Sequence, residues 1–575
     1  MMGLPISDDL KNLIVDASEN GRLAEFLFDH RRQVENVGRE QLAALLAELH
    51  NRNEINLFSV TRPEVLAPFT GQRFFTGQNL FLKIIPDLEA TLDEIAAAVS
   101  SLVKAGGADM ASTWPNGSFR EWCEKEQSRS EEVIARSLEG DEAIRPFLVF
   151  ALQAVGDLDR ILACLSNNAL EVQMSAVSAA ARLGELSEGQ RASIYAAFEG
   201  LLDRGTGPDL TANILGAVLA VASEGNDLDL YVVQDLVRRC LADPSDGIAH
   251  VAARGLSWGQ VSSNAAILSE VLARLLDTNS NNNVTIQEID TGLYRLLEGD
   301  ASKAAIDFAG QLVSKSGGAI SLQDLTGFAH RLIKSEHALR DYAIGSWLIY
   351  GDITLGLSLG HVVGLEEHPA EIDVDQFNLT EAQKIRLCQR AIGFFLFHPV
   401  LAASVLVSAA RTADTRSQQQ ISDLLYDPVL LNFSGKVRDY LLSIGQSDPA
   451  YETVERALKA VDELVEGFKT AGTINELRPS TNERFVASMH EFDERQEVER
   501  SANEQSVFAN IFHRSVVLHG NKTISYVKDA QGEKKRFETE LHSHGFSYEL
   551  PRLNMFDPVR LEFLHHSFIS TRVVE

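Results

Sequence analysis

Between residues 140 and 340 the chain repeats one plan: an apolar helix, a polar turn, then a second helix rich in small residues. The first helices end in Cys164-Leu165-Ser166-Asn167, Leu201-Leu202-Asp203-Arg204, Cys240-Leu241-Ala242-Asp243 and Leu275-Leu276-Asp277-Thr278. Second helices begin near Asn168, Asp209, Asp246 and Asn283, so successive starts lie 41, 37 and 37 residues apart, and a fifth unit begins near Ser321. A helix pair of this kind has an apolar side that it cannot bury alone, so neighbours must stack and share one continuous core. Leu202 is placed on that buried side.

Unit length and Ala/Leu content make this stretch resemble HEAT and armadillo α-solenoids, whose units run roughly 40 to 47 residues. The resemblance covers about residues 140 to 340 and implies a fold and an extended binding surface, without naming an activity. A chain of 575 residues exceeds what one globular core usually supports, which agrees with an elongated array. The expected fold class is therefore mainly α, a solenoid of stacked helix pairs with a small β-rich segment at the C-terminus.

The rest of the chain divides around that array. Residues 1–138 form an N-terminal helical region, with three short helices over 8–52, an irregular stretch from Asn56 to Gln78 and a strong helix from Ile85 to Lys104. The repeat array takes 139–471, and 472–507 is a charged linker or solvated helix. Residues 508–575 are read as the β-rich part. Thr523–Val527 and Arg536–Leu541 flank the turn Asp529-Ala530-Gln531-Gly532, and further strand-like runs cover Phe546–Leu550 and Val559–Leu564.

Charge narrows the partners. Asp and Glu total 81 against 52 Lys and Arg, a net −29 that repels nucleic acid and anionic membrane on average and favours a protein partner, a basic one fitting better. From residue 511 the balance changes to nine basic against eight acidic residues, so contact with nucleic acid is expected only through that end. Four widely separated cysteines suggest neither a metal knuckle nor a redox pair, and the N-terminus carries no secretory pattern; a cytoplasmic location is expected.

Four features imitate functional sites. Asp277, Asn279, Asn281, Asn283 and Glu288 match the oxygen-ligand spacing of an EF-hand loop, although Asn282 replaces the usual Gly and only the two end residues are charged. An Asn-rich turn between helices explains the same residues. Gly356-Leu357-Ser358-Leu359-Gly360 has the form of a hydrolase nucleophile elbow, but lacks the alternating strands and helices that such an elbow needs. Residues 391–410 are uncharged and long enough to span a bilayer, yet His398-Pro399 interrupts them, favouring two buried helices.

The fourth feature is histidine density. His513, His519, His542, His544, His565 and His566 put six of fifteen histidines near the C-terminus, and in an extended segment His542 and His544 would share one face as metal ligands or an acid/base pair. No Walker A, dinucleotide-binding or HExxH pattern occurs, and no cofactor is expected. The sequence thus favours a non-enzymatic scaffold or adaptor offering an acidic repeat surface to another protein. The competing reading is a hydrolase or nuclease-like effector centred on His542 and His544, with the repeats as its recognition surface.

Overall fold

The computed structural model describes residues 8–29, 39–223, 230–261, 264–334, 337–363, 368–505, 522–528, 534–540 and 551–574. These residues are almost entirely helical, with abundant helix-on-helix packing compatible with a helical-repeat solenoid. The chain forms two compact units, Met1–Ala301 and Ser302–Glu575.

In the first unit the repeats occupy two rows of helices. Leu158–Leu165, Glu188–Asp203, Leu230–Leu241 and Ala265–Leu275 pack successively in one row. Leu170–Ala180, Pro208–Ser223, Asp246–Ser257 and Asn283–Leu296 pack in the other. Boundaries follow local chemistry. Ser187 and Gln190 form a reciprocal capping box, while Asn264 and Asn282 accept hydrogen bonds from the first-turn amides of their helices. In Glu188–Asp203 the core face is Ile194, Phe198 and Leu201; Leu202, expected inside, is half-buried on the flank.

Small residues on the second row set how closely it stacks. A Cβ at Gly255 would stand 2.6 Å from Leu219 Cδ1, and one at Gly292 would stand 2.5 Å from Leu256 Cγ. The repeats are also tied by arginines 35 residues apart. Arg204 Nη2 donates to Leu165 O at 3.5 Å, Arg239 Nη2 to Asp203 Oδ1 at 2.5 Å, and Arg274 Nη2 to Ser245 O at 3.0 Å. Each side chain reaches back to the preceding pair.

N-terminal to the repeats, the stretch expected to be irregular contains the helix Gly71–Ile84, whose Phe74 and Phe81 surround Phe28 together with Phe69. The strong helix begins at Leu92, later than expected, because Pro86 falls in a short 3-10 turn and Thr91 with Glu94 makes a fresh capping box.

In the second unit Pro399–Arg411 is buried on nearly every side, and its Ser404 and Ser408 hydroxyls accept from the amides of Ala370 and Ile372 at 2.9 and 3.1 Å. Glu381–Phe394 precedes it, with the break at His398-Pro399. Among the described residues no helix is long and apolar enough to cross a membrane. The region 472–507 contains the helix Thr481–Gln505, whose described residues are almost all exposed.

The expected β-rich C-terminal segment is overturned. The described strands there are confined to one antiparallel ribbon, Lys522–Lys528 against Lys534–Glu540, while the end of the chain is helical over Arg552–Phe556 and Pro558–Ile569. Val559–Leu564, expected as a strand, lies inside the last helix. Asp557 caps that helix through Arg560 N, and Pro558 occupies its first position, where a missing N–H costs nothing. The helix packs on Glu381–Phe394 so closely that a Cβ at Gly393 would stand 2.7 Å from Ile569 N. Phe546–Leu550 lies outside the described residues.

Candidate functional site

Stacking small residues leaves space above them. In the first unit two adjoining hollows, of about 500 and 400 Å³, share Arg182 as a wall. The larger is lined by Trp114, Arg120, Phe150 and Gln153. The smaller runs over Ser178, Asn213 and Gly216 to Arg254 and Trp258. They meet at Arg182 to form one groove: the smaller part crosses successive second-row helices over Ala, Gly and Ser, and the larger part lies over the helices Pro115–Lys125 and Leu148–Val155.

Large side chains stand at both parts of this groove. Trp114 is 54% exposed and Trp258 57%, while the other two tryptophans, Trp122 and Trp347, are buried. Arg254 lies over the Trp258 ring at 4.3 Å, a cation–π contact of about 0.5–1 kcal/mol at an exposed position. The pair is spaced i, i+4 along one helical face. Stacking fixes the ring and the guanidinium plane while leaving the guanidinium N–H edges available.

The polar floor is occupied internally. Asn213 Nδ2 donates to Met174 O at 2.9 Å, and its Oδ1 accepts from Ser178 Oγ at 3.1 Å. Arg120 forms an ion pair with Glu124 at 3.1 Å. Arg182 and Arg254 have no side-chain hydrogen bond or ion pair among the described residues. Gln153 Nε2 is a buried donor with no acceptor among them. Such a surface can bind a chain segment by stacking and by hydrogen-bond donation.

The residues singled out in the sequence lie elsewhere. Asn279 Nδ2 donates to Asp246 Oδ2 at 3.1 Å, its Oδ1 accepts from Asn281 N at 3.1 Å, and Asn282 caps the next helix. That helix starts at Asn283, five residues before Glu288, and the Glu288 carboxylate accepts from Ser257 Oγ. Asp277 stays in the turn after Leu275. Among the described residues no group of three or more His, Cys, Asp or Glu side chains is placed to hold a metal ion.

Ser358 lies within the helix Ile353–Val363, buried, donating to Gln323 Oε1 at 2.9 Å and accepting from Leu322 N at 2.8 Å. It anchors a neighbouring turn. His542 and His544 lie outside the described residues, as do His513 and His519. His565 and His566 lie on the last helix, and burial with the neighbouring His566 holds His565 below the usual histidine range.

The groove residues were not singled out in the sequence. Their available signal was Arg254 four residues before Trp258 at the end of a small-residue helix. No protein-family model matches the chain, and no curated protein matches it.

Proposed function

We propose that this protein is a non-enzymatic scaffold or adaptor that holds a segment of another protein in the groove of its first unit. We read the repeats as HEAT- or armadillo-like and place the protein in the cytoplasm. The observation that carries the function is the exposure of Trp114 and Trp258 along a groove whose smaller part is floored by small residues. Burying an aromatic of this size contributes heavily to an interface, and tryptophan and arginine are the residues most often found at its energetic centre.

Recognition by side chains follows from the architecture. Helices satisfy their own backbone groups, so this groove has no open sheet edge to extend, and affinity must come from stacking and from the arginines. The test is affinity purification from the native source with wild type and a Trp114→Ala/Trp258→Ala variant, compared quantitatively. A stoichiometric partner that is lost with the variant, while its melting temperature stays unchanged, supports the reading. Equal recovery of every partner by both proteins would overturn it.

A further inference from the structure

We infer that the groove takes an acidic segment of its partner, read by Arg182 and Arg254 and clamped against Trp258; this rests on the protein-binding role proposed above. The inference runs against the charge of the whole chain, where acidic residues outnumber basic ones 81 to 52. A surface drawn at random from that composition would be acidic. The described residues lining the two hollows include Arg120, Arg182 and Arg254 and no Asp or Glu.

Two of these arginines lack the carboxylate partners that so acidic a chain could readily supply. Elsewhere in the first unit Arg136 is bonded by Asp93 and Asp141, and Arg239 by Asp203. Arg182 and Arg254 have no ion pair among the described residues. A guanidinium carries five donors in a planar fork matched to a carboxylate, so an unpaired arginine in a groove favours a carboxylate from outside. Gln153 Nε2 adds a further donor without an acceptor in the adjoining hollow. The acceptor on the floor of the smaller hollow, Asn213 Oδ1, is committed to Ser178.

The net charge of −29 does not cancel this preference. At physiological ionic strength distant charges are screened within about 8 Å, whereas a carboxylate in the groove meets the arginines at contact. The same comparison separates an acidic peptide from a nucleic acid. A nucleic acid carries a dense line of phosphates that extends past the groove onto acidic surface, while a peptide can limit its charge to two or three side chains and place apolar ones on Trp114 and Trp258.

The experiment uses the full chain and fluorescence anisotropy with four labelled probes: short peptides alternating Glu with Leu, Gln with Leu and Lys with Leu, and a single-stranded DNA oligonucleotide of similar length. The Glu/Leu peptide is expected to bind best and to weaken as salt is raised. Arg182→Glu and Arg254→Glu are each expected to weaken it by about tenfold or more. In the double reversal the Lys/Leu peptide should become the preferred probe. Both positions are exposed, so unchanged melting temperatures confirm folding.

Preference for Gln/Leu, Lys/Leu or DNA by the wild type, binding of none of them, or indifference of the Glu/Leu peptide to both reversals would overturn the inference. If a peptide other than Glu/Leu binds and Trp258→Ala abolishes it, the protein-binding groove stands and only its acidic specificity falls. If DNA binds and no peptide does, both readings fall.

Discussion

Gly292 faces Leu256 across the same helix pair geometry that sets Gly255 against Leu219, one repeat of 37 residues earlier. The two contacts differ in what must yield. At Gly255 the nearest atom is the flexible end of Leu219, whereas at Gly292 the branch point Leu256 Cγ is at 2.5 Å and the Leu256 backbone carbonyl carbon at 3.2 Å. Alanine gains roughly 1 kcal/mol of helix propensity at either site. Overpacking costs about 1–3 kcal/mol where neighbours cannot move. Gly255→Ala should therefore be nearly neutral and Gly292→Ala destabilising, by about 1–2 kcal/mol, measured as the shift in urea midpoint at constant slope. Equal effects would mean that the helices separate freely.

The repeat plan was legible because its signal is local and recurrent: second-row helices begin at Asp246 and Asn283, where polar turns meet small-residue helices. What failed had competing local signals. Val559, Leu561 and Phe563 alternate like a strand, yet Asp557-Pro558 is a helix start, and the helix buries Leu561 while exposing the other two. Leu201 and Leu202 are adjacent apolar residues, and only the spacing from Ile194 and Phe198 selects Leu201, 1% exposed, as the core member. The groove could not be read from any one segment. Trp114, Arg182 and Trp258 stand at helix ends far apart in sequence, and stacking alone brings their hollows together.

For the loop from Asp277 to Glu288 the expectation is a melting temperature insensitive to calcium. Asn279 and Asn282 already use their side-chain oxygens to accept backbone amides, and Glu288 accepts from Ser257. A calcium ion would have to replace those bonds with several oxygen ligands around one centre. Titrating calcium and magnesium against wild type and Glu288→Gln decides it. A rise specific to calcium and lost in the variant would establish a site.

Arg390 should be the residue on which the C-terminal end depends. It is 2% exposed, and burial draws its pKa below the usual arginine value. Its Nη1 donates to Thr571 O at 2.9 Å and its Nη2 to Gly351 O and Asp352 O at 2.5 and 2.9 Å, joining the last turn of chain to the start of Ile353–Val363. Arg390→Met keeps much of the volume and strands the carbonyls of Thr571 and Gly351, while Asp352 O keeps the Gly356 amide at 3.2 Å. With hydrogen bonds to charged groups each contributing about 1.5–3 kcal/mol, a loss of about 3 kcal/mol is expected for the second unit. Limited carboxypeptidase digestion should release the residues after Ile569 faster in the variant. Unchanged release would assign the anchoring to Val573 burial alone.

The last prediction concerns His50. Its ring is half-buried, edge-on to Phe58 at 4.8 Å, with Nδ1 3.3 Å from both Ile55 O and Leu57 N. Burial lowers its pKa; the Ile55 carbonyl and Glu94 act in the opposite direction and are outweighed. A depressed pKa means that the folded state binds the proton less readily than the unfolded chain, whose histidine titrates near 6.5. The stability this neutral ring contributes is fully present above about pH 6.5 and declines as pH falls from there toward the folded-state pKa. Protonation would also place an N–H at Nδ1 against the Leu57 amide, removing the acceptor that this amide uses. His50→Gln should therefore flatten the fall in melting temperature between about pH 7 and 5, with a residual slope from His565, whose pKa is lowered in the same direction. Parallel curves for wild type and variant, or a steeper fall in the variant, would show that His50 is not the source.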